Sequence, residues 1–149
     1  MKLSVVVPVL NEARALPALL EENLYHPDGQ QQDEVYIYAS FLQSKMYARG
    51  VKCSDCHDSH SVKLLRQGND LCLQCHQKDA FDTSSHHFHK LVVDGKPSAG
   101  ASCVACHMPE KVYMGNDARA DHGFRIPRPD LSGELGTPNA CTQSGCHAD

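Results

Sequence analysis

All eight cysteines of this 149-residue chain fall into four copies of one pattern, and none is left over. The copies are C-S-D-C-H from Cys53 to His57, C-L-Q-C-H from Cys72 to His76 and C-V-A-C-H from Cys103 to His107, with a wider C-T-Q-S-G-C-H from Cys141 to His147. Disulfide pairing does not require a histidine after every second cysteine, and neither does a zinc ribbon built on C-x-x-C pairs. Covalent attachment of c-type haem requires that histidine: two thiols bind the porphyrin edge and the adjacent imidazole becomes an axial iron ligand. The pattern therefore predicts four covalently attached haem c groups, held by Cys53, Cys56, Cys72, Cys75, Cys103, Cys106, Cys141 and Cys146, with His57, His76, His107 and His147 on iron.

Four such plates would dominate the interior of a chain with 4 Phe, 5 Tyr and no Trp. The expected fold is mostly irregular with a few α-helices and almost no β-sheet: a small multihaem domain wrapped around four haems. The net charge of −4 and the lack of basic runs argue against a nucleic-acid partner. No apolar stretch reaches membrane-spanning length.

Residues 1–20 stand apart from a haem region spanning 21–149. Leu3 to Leu10 reads as a short strand and Asn11 as a helix cap. The run is a poor signal peptide, being short, interrupted by Pro8 and followed at once by Glu12. Its V-V-V-P-V-L-N-E resembles the opening strand and turn of a family 2 glycosyltransferase. The Asp-rich metal motif and the rest of that domain are missing, so no transferase chemistry is expected from it.

The strongest helix signal runs from Asp33 to Arg49, with Gly50 as its stop. Val35, Tyr38, Leu42 and Met46 recur on one face, flanked by Ile37 and Phe41, and this face is expected to lie on a haem. Asn69-Asp70 and Pro138-Asn139 read as caps for short helices carrying the second and fourth motifs. The remaining connectors are rich in Gly, Pro and Ser and read as straps crossing porphyrin edges.

The ligand on the second axial position decides what a haem does, because electron carriers close it with His or Met and catalytic haems leave it open. His26, His60, His86, His87, His89 and His122 compete for four irons. The preferred distal set is His26, His60, His89 and His122, with His86 the first substitute. His60 lies three residues after His57 and cannot reach the far face of its own haem, so it would bridge to a neighbour. His86 and His89 could serve two irons from one segment, leaving His87 to a propionate. Arg119, Arg125 and Arg128 surround His122 and offer planar forks to propionates.

Together, C-S-D-C-H-D-S-H, C-L-Q-C-H, H-H-F-H, C-V-A-C-H-M-P, D-H-G-F-R-I-P-R-P-D and L-G-T-P-N-A-C resemble the multihaem (tetrahaem) c-type cytochromes. The likeness is greatest to those whose haem region precedes tetratricopeptide repeats, and it covers residues 22–149. The resemblance implies a periplasmic or extracellular electron carrier with mostly His/His iron. Its partners would be redox proteins and other cytochromes, and a homo-oligomer or filament would extend the haem wire. This sequence departs from the group in lacking the repeats and an export signal, which suggests a fragment of a larger protein or a stand-alone version. The rival expectation is a multihaem reductase of a small nitrogen or sulfur oxyanion, with one open haem site.

Overall fold

The computed structural model describes residues 24–33, 37–113, 115–142 and 146–147. The glycosyltransferase-like stretch 1–20 lies outside them. Among the described residues, regular structure is sparse. Six short α-helices occur: α1 Ile37–Leu42, α2 Lys45–Ala48, α3 Lys78–Phe81, α4 Ser84–His87, α5 Cys103–His107 and α6 Pro129–Leu135. Three 3-10 turns, Cys53–Asp55, Gly68–Gln74 and Ala99–Ala101, stand between them. There are two antiparallel two-stranded sheets, β1 Val92–Val93 with β2 Lys96–Pro97 and β3 Glu110–Tyr113 with β4 Asp117–Ala120.

The helix expected over Asp33–Arg49 is broken in its second half. Ser44 is extended (ψ 148°), and its hydroxyl accepts from the Tyr47 N–H at 3.0 Å, so it caps α2 and interrupts α1. The stop at Gly50 agrees with expectation: its φ is +84° and its N–H closes on the Tyr47 carbonyl at 2.9 Å. The buried face also differs. Ser40, Phe41 and Ser44 are buried, whereas Tyr38 is half exposed. Phe41 packs edge-on to Tyr47 and Phe124, and the Ser40 hydroxyl donates to the buried carboxylate of Asp121. The stripe position that mattered was thus chosen by a loop eighty residues away.

Hydrophobic burial is concentrated at few places. Tyr25, Phe41 and Ala101 are the buried apolar residues among those described, while Val62, Leu64, Leu65, Phe81, Phe88 and Leu91 are exposed around the motifs. Polypeptide packing of this extent contributes little hydrophobic stabilisation, which scales with the apolar area removed from water. Polar clamps tie the segments together instead. Arg125 donates to the carbonyls of Asp28 (2.7 Å) and Gly29 (2.9 Å) and to Gln43 Oε1 (2.7 Å). Gly29 has φ +85°, and a Cβ there would meet the Arg125 guanidinium at 2.6 Å, so the turn requires glycine.

Candidate haem-binding site

Each motif is folded so that its histidine returns over the first cysteine. The His57 and His76 N–H groups donate to the carbonyls of Cys53 (2.8 Å) and Cys72 (3.0 Å), and that of His147 donates to Cys141 (3.1 Å). The third motif is itself the helix α5. Asp55 reaches back to the Lys52 N–H at 2.8 Å and closes the first turn. Asn139 accepts from the Cys141 N–H at 2.9 Å and prepares the fourth.

Asn69 has a different part from the cap expected of it. It lies inside the turn Gly68–Gln74, and its side chain reaches across to the third motif. Its Nδ2 donates to Asp82 Oδ1 (2.9 Å) and the Ala101 carbonyl (2.8 Å), while its Oδ1 accepts from the Cys103 N–H (3.0 Å). The second and third motifs are thereby fastened side by side, with the thiols of Cys72 and Cys103 adjoining. Burial, reinforced by Cys72, pushes the Cys103 thiol up to about 11. Burial also raises Cys56, with Cys75 a neighbouring contributor, and Cys106, with Cys141 and Cys146 beside it. The thiols thus run through space in motif order.

All ten histidines are among the described residues. His57 faces His122 with ring centres 6.3 Å apart, His107 faces His86 at 6.2 Å, and His147 faces His89 at 5.7 Å. The ring planes are 26°, 14° and 51° apart in the three pairs. Segment 84–89 therefore sends His86 to the third motif and His89 to the fourth. His76 stands against a phenyl ring instead: Phe81 meets it edge-on at 5.4 Å and meets His86 in the same manner at 5.4 Å. His60 is exposed in a loop organised by Asp58, whose carboxylate accepts from the backbone of His60 (3.2 Å) and Ser61 (2.8 Å). His26 belongs to the turn 26–30. Neither faces another imidazole among the described residues.

Hydrogen bonding fixes the tautomers. A carbonyl can only accept, so an imidazole nitrogen bonded to one must carry the proton. The Nδ1 of His57 donates to Val62 O (2.8 Å), that of His107 to Arg125 O (2.8 Å) and that of His122 to Ala120 O (2.9 Å). His89 Nδ1 likewise donates to His87 O. In all four the Nε2 lone pair is left free to bind a metal, and the carbonyl orients the ring as an outer-shell partner does. Burial lowers the His122 pKa, which favours the neutral, ligating form. His87 is reversed: its Nδ1 accepts from the His89 N–H at 3.2 Å, so its proton sits on Nε2, a buried atom with no partner.

The backbone is strained beside several of these groups. Val62 (φ +59°), Phe88 (+59°) and Phe124 (+46°) are left-handed, a region costly for β-branched and bulky residues. Val62 presents the carbonyl that holds His57, Phe88 separates His87 from His89, and Phe124 lies between His122 and the carbonyl of Arg125. Sequence reasoning passed over Asp121, which is buried and accepts from Ser40 and from the Gly123 N–H (2.7 Å), anchoring the His122 loop. It also passed over Gly100, where a Cβ would lie 2.6 Å from His89 Cγ. Arg119 and Arg128 are turned to Asp117 and Asp130 in exposed ion pairs. Arg125 has neutral acceptors, and its Nε is buried without a partner.

The donor set fits haem. Each motif offers two thiols and one imidazole, exposed apolar side chains flank the motifs, and two buried N–H donors, His87 Nε2 and Arg125 Nε, suit propionate oxygens. It does not resemble a zinc ribbon, in which four ligands meet at one point: among the described residues no three of His, Cys, Asp or Glu converge on a metal-sized centre.

Residues 45–81, which contain the first two motifs, match the model of the doubled CXXCH motif family. This segment is a region like those of multihaem c-type cytochromes, and its motifs indicate covalently bound haem c. No curated protein and no solved structure matches the chain. Among the described residues no helix is long and apolar enough to cross a membrane.

Proposed function

We propose that residues 21–149 form a tetrahaem electron-transfer unit that relays electrons between redox proteins. The observation that carries this reading is the set of facing imidazoles. Two imidazoles bonded through Nε2 to one metal at about 2 Å each have ring centres about 6 Å apart. The separations of 6.3, 6.2 and 5.7 Å for His57/His122, His107/His86 and His147/His89 suit that geometry. Three of the four tautomers fixed by carbonyls in these pairs belong to His57, His107 and His122, and the fourth to His89. In this assignment His86 takes the place that the sequence reading gave to His60 or His26.

When bound, the haems supply one-electron chemistry; the chain's own residues set it. Bis-imidazole ligation omits the potential-raising Met, so low-potential couples follow. Asn69 and the adjoining Cys72 and Cys103 hold the second and third attachment sites together, which supports short transfer distances. His87 and Arg125 would hold propionates. Attachment of haem c outside the cytoplasm places the protein in the periplasm or beyond the cell, with other cytochromes as partners and a homo-oligomer or filament as an extension of the path.

The test is the intact mass of the denatured holoprotein, since thioether-linked haem survives denaturation. Four haems per chain are expected, with a low-spin ferric spectrum for the paired sites; an increment of fewer than three haems would falsify the reading. A second reading, reduction of a nitrogen or sulfur oxyanion at an open iron, has one observation in its favour: His76, unlike the other motif histidines, faces no second imidazole.

A further inference from the structure

Three of the four motif histidines face a second imidazole, and the fourth, His76, does not. The histidines outside the pairs are accounted for. His87 carries its proton on Nε2, because its Nδ1 accepts the His89 N–H, and so presents no lone pair there. His60 is held outward by the Asp58 loop, and His26 lies in the turn fastened by Arg125 through Asp28 and Gly29. His76 also differs from His57 and His107 in lacking a carbonyl on Nδ1 among the described residues.

We propose that the haem attached at Cys72 and Cys75 keeps its sixth position free of protein imidazole and binds a small uncharged ligand of the carbon monoxide class there. This rests on the four-haem reading and adds to it a binding site. The charge around the motif selects an uncharged ligand over an oxyanion. The turn Gly68–Gln74 and α3, with its cap Asp82, carry three carboxylates, Asp70, Asp79 and Asp82, and one cation, Lys78. Phe81, the ring packed edge-on against His76, adds no charge to the motif. The second haem is thereby the entry point for ligands, while the other three remain closed carriers.

The experiment is a carbon monoxide titration of the reduced holoprotein, read in the visible spectrum, on material whose haem count is known from denatured mass. One ligand per four haems is expected, together with one high-spin ferric signal in the oxidised protein. The Cys72→Ala/Cys75→Ala variant should lose one haem and all of this uptake. Where that variant does not fold, the wild-type stoichiometry and the high-spin signal carry the test. Four haems with no uptake would overturn the proposal and leave the four-haem reading standing; fewer haems would overturn that reading itself. Uptake that survives loss of the second haem, appears only after His60→Ala, or is replaced by nitrite binding would also overturn it.

Discussion

Asn69 is one polar side chain that ties the second and third motifs, and its removal gives a sharp test of how this fold is held. Asn69→Ala deletes hydrogen bonds to Asp82, Ala101 and Cys103 of 2.9, 2.8 and 3.0 Å. At about 0.5–1.5 kcal/mol per bond the loss is about 1.5–4.5 kcal/mol. The upper half of that range is expected, because Ala101 is only 6% exposed and its carbonyl would lose this partner. In a chain of this length about 3 kcal/mol lowers Tm by about 6–12 °C. Asn69→Asp separates the hydrogen-bond account from simple loss of volume. It keeps an acceptor for the Cys103 N–H but sets a carboxylate against Asp82. The like charge raises the folded pKa of the introduced group above its unfolded value. Its ionised form therefore destabilises at neutral pH, and the penalty disappears as pH falls through the folded pKa. Asn69→Asp should be less stable than Asn69→Ala at pH 7 and recover relative to it at about pH 4. Urea unfolding of the holoprotein, followed by far-ultraviolet and Soret dichroism, measures both. A change below about 0.5 kcal/mol for Asn69→Ala, or parallel pH profiles for the two variants, would refute the clamp.

Two further outcomes follow from the geometry. Gly100→Ala drives a methyl group into the His89 ring, where Cγ lies 2.6 Å from the added carbon; overpacking of this kind costs about 1–3 kcal/mol. Carbon monoxide uptake should rise from one to two per chain, whereas Gly133→Ala, whose added carbon meets nothing within 4 Å, should leave it at one. The Asp130 carboxyl is held down to about 2 by its hydrogen bonds with Arg128. A depressed pKa contributes stability above the unfolded value that is lost as pH falls through the folded one. The small stability difference between wild type and Asp130→Asn should therefore hold at neutral pH and shrink progressively as pH falls from about 4 to below about 2, with pH-dependent unfolding as the measurement.

The first two attachment motifs, which fall within the doubled CXXCH match at residues 45–81, were legible because such a motif is written in local spacing: a thioether pair and its histidine need only neighbouring residues. The same holds for the stop at Gly50, a single-residue dihedral requirement. Long-range contacts were not legible. Helical periodicity over 33–49 could not reveal that Ser44 would cap a second helix or that Asp121 would select Ser40 for burial. Asn69 before a cysteine has the look of a cap, and only the arrival of Ala101 and Cys103 makes it a clamp. His60 was read as a bridge to a neighbouring iron, but the Asp58 turn that leaves it exposed depends on bonds two and three residues away. For Arg119 and Arg128, local carboxylates took the forks that the sequence reading assigned to propionates.

The short loop from Asp121 to Arg125 carries both the imidazole opposite His57 and the carbonyl that orients His107. Two sites mounted on one bracket cannot be adjusted separately. Any substitution that tilts this loop alters the imidazole facing His57 at the first motif and a ring orientation at the third in the same motion. The loop is a common mount, so variants in it report on two centres together, and selection acting on either one constrains both.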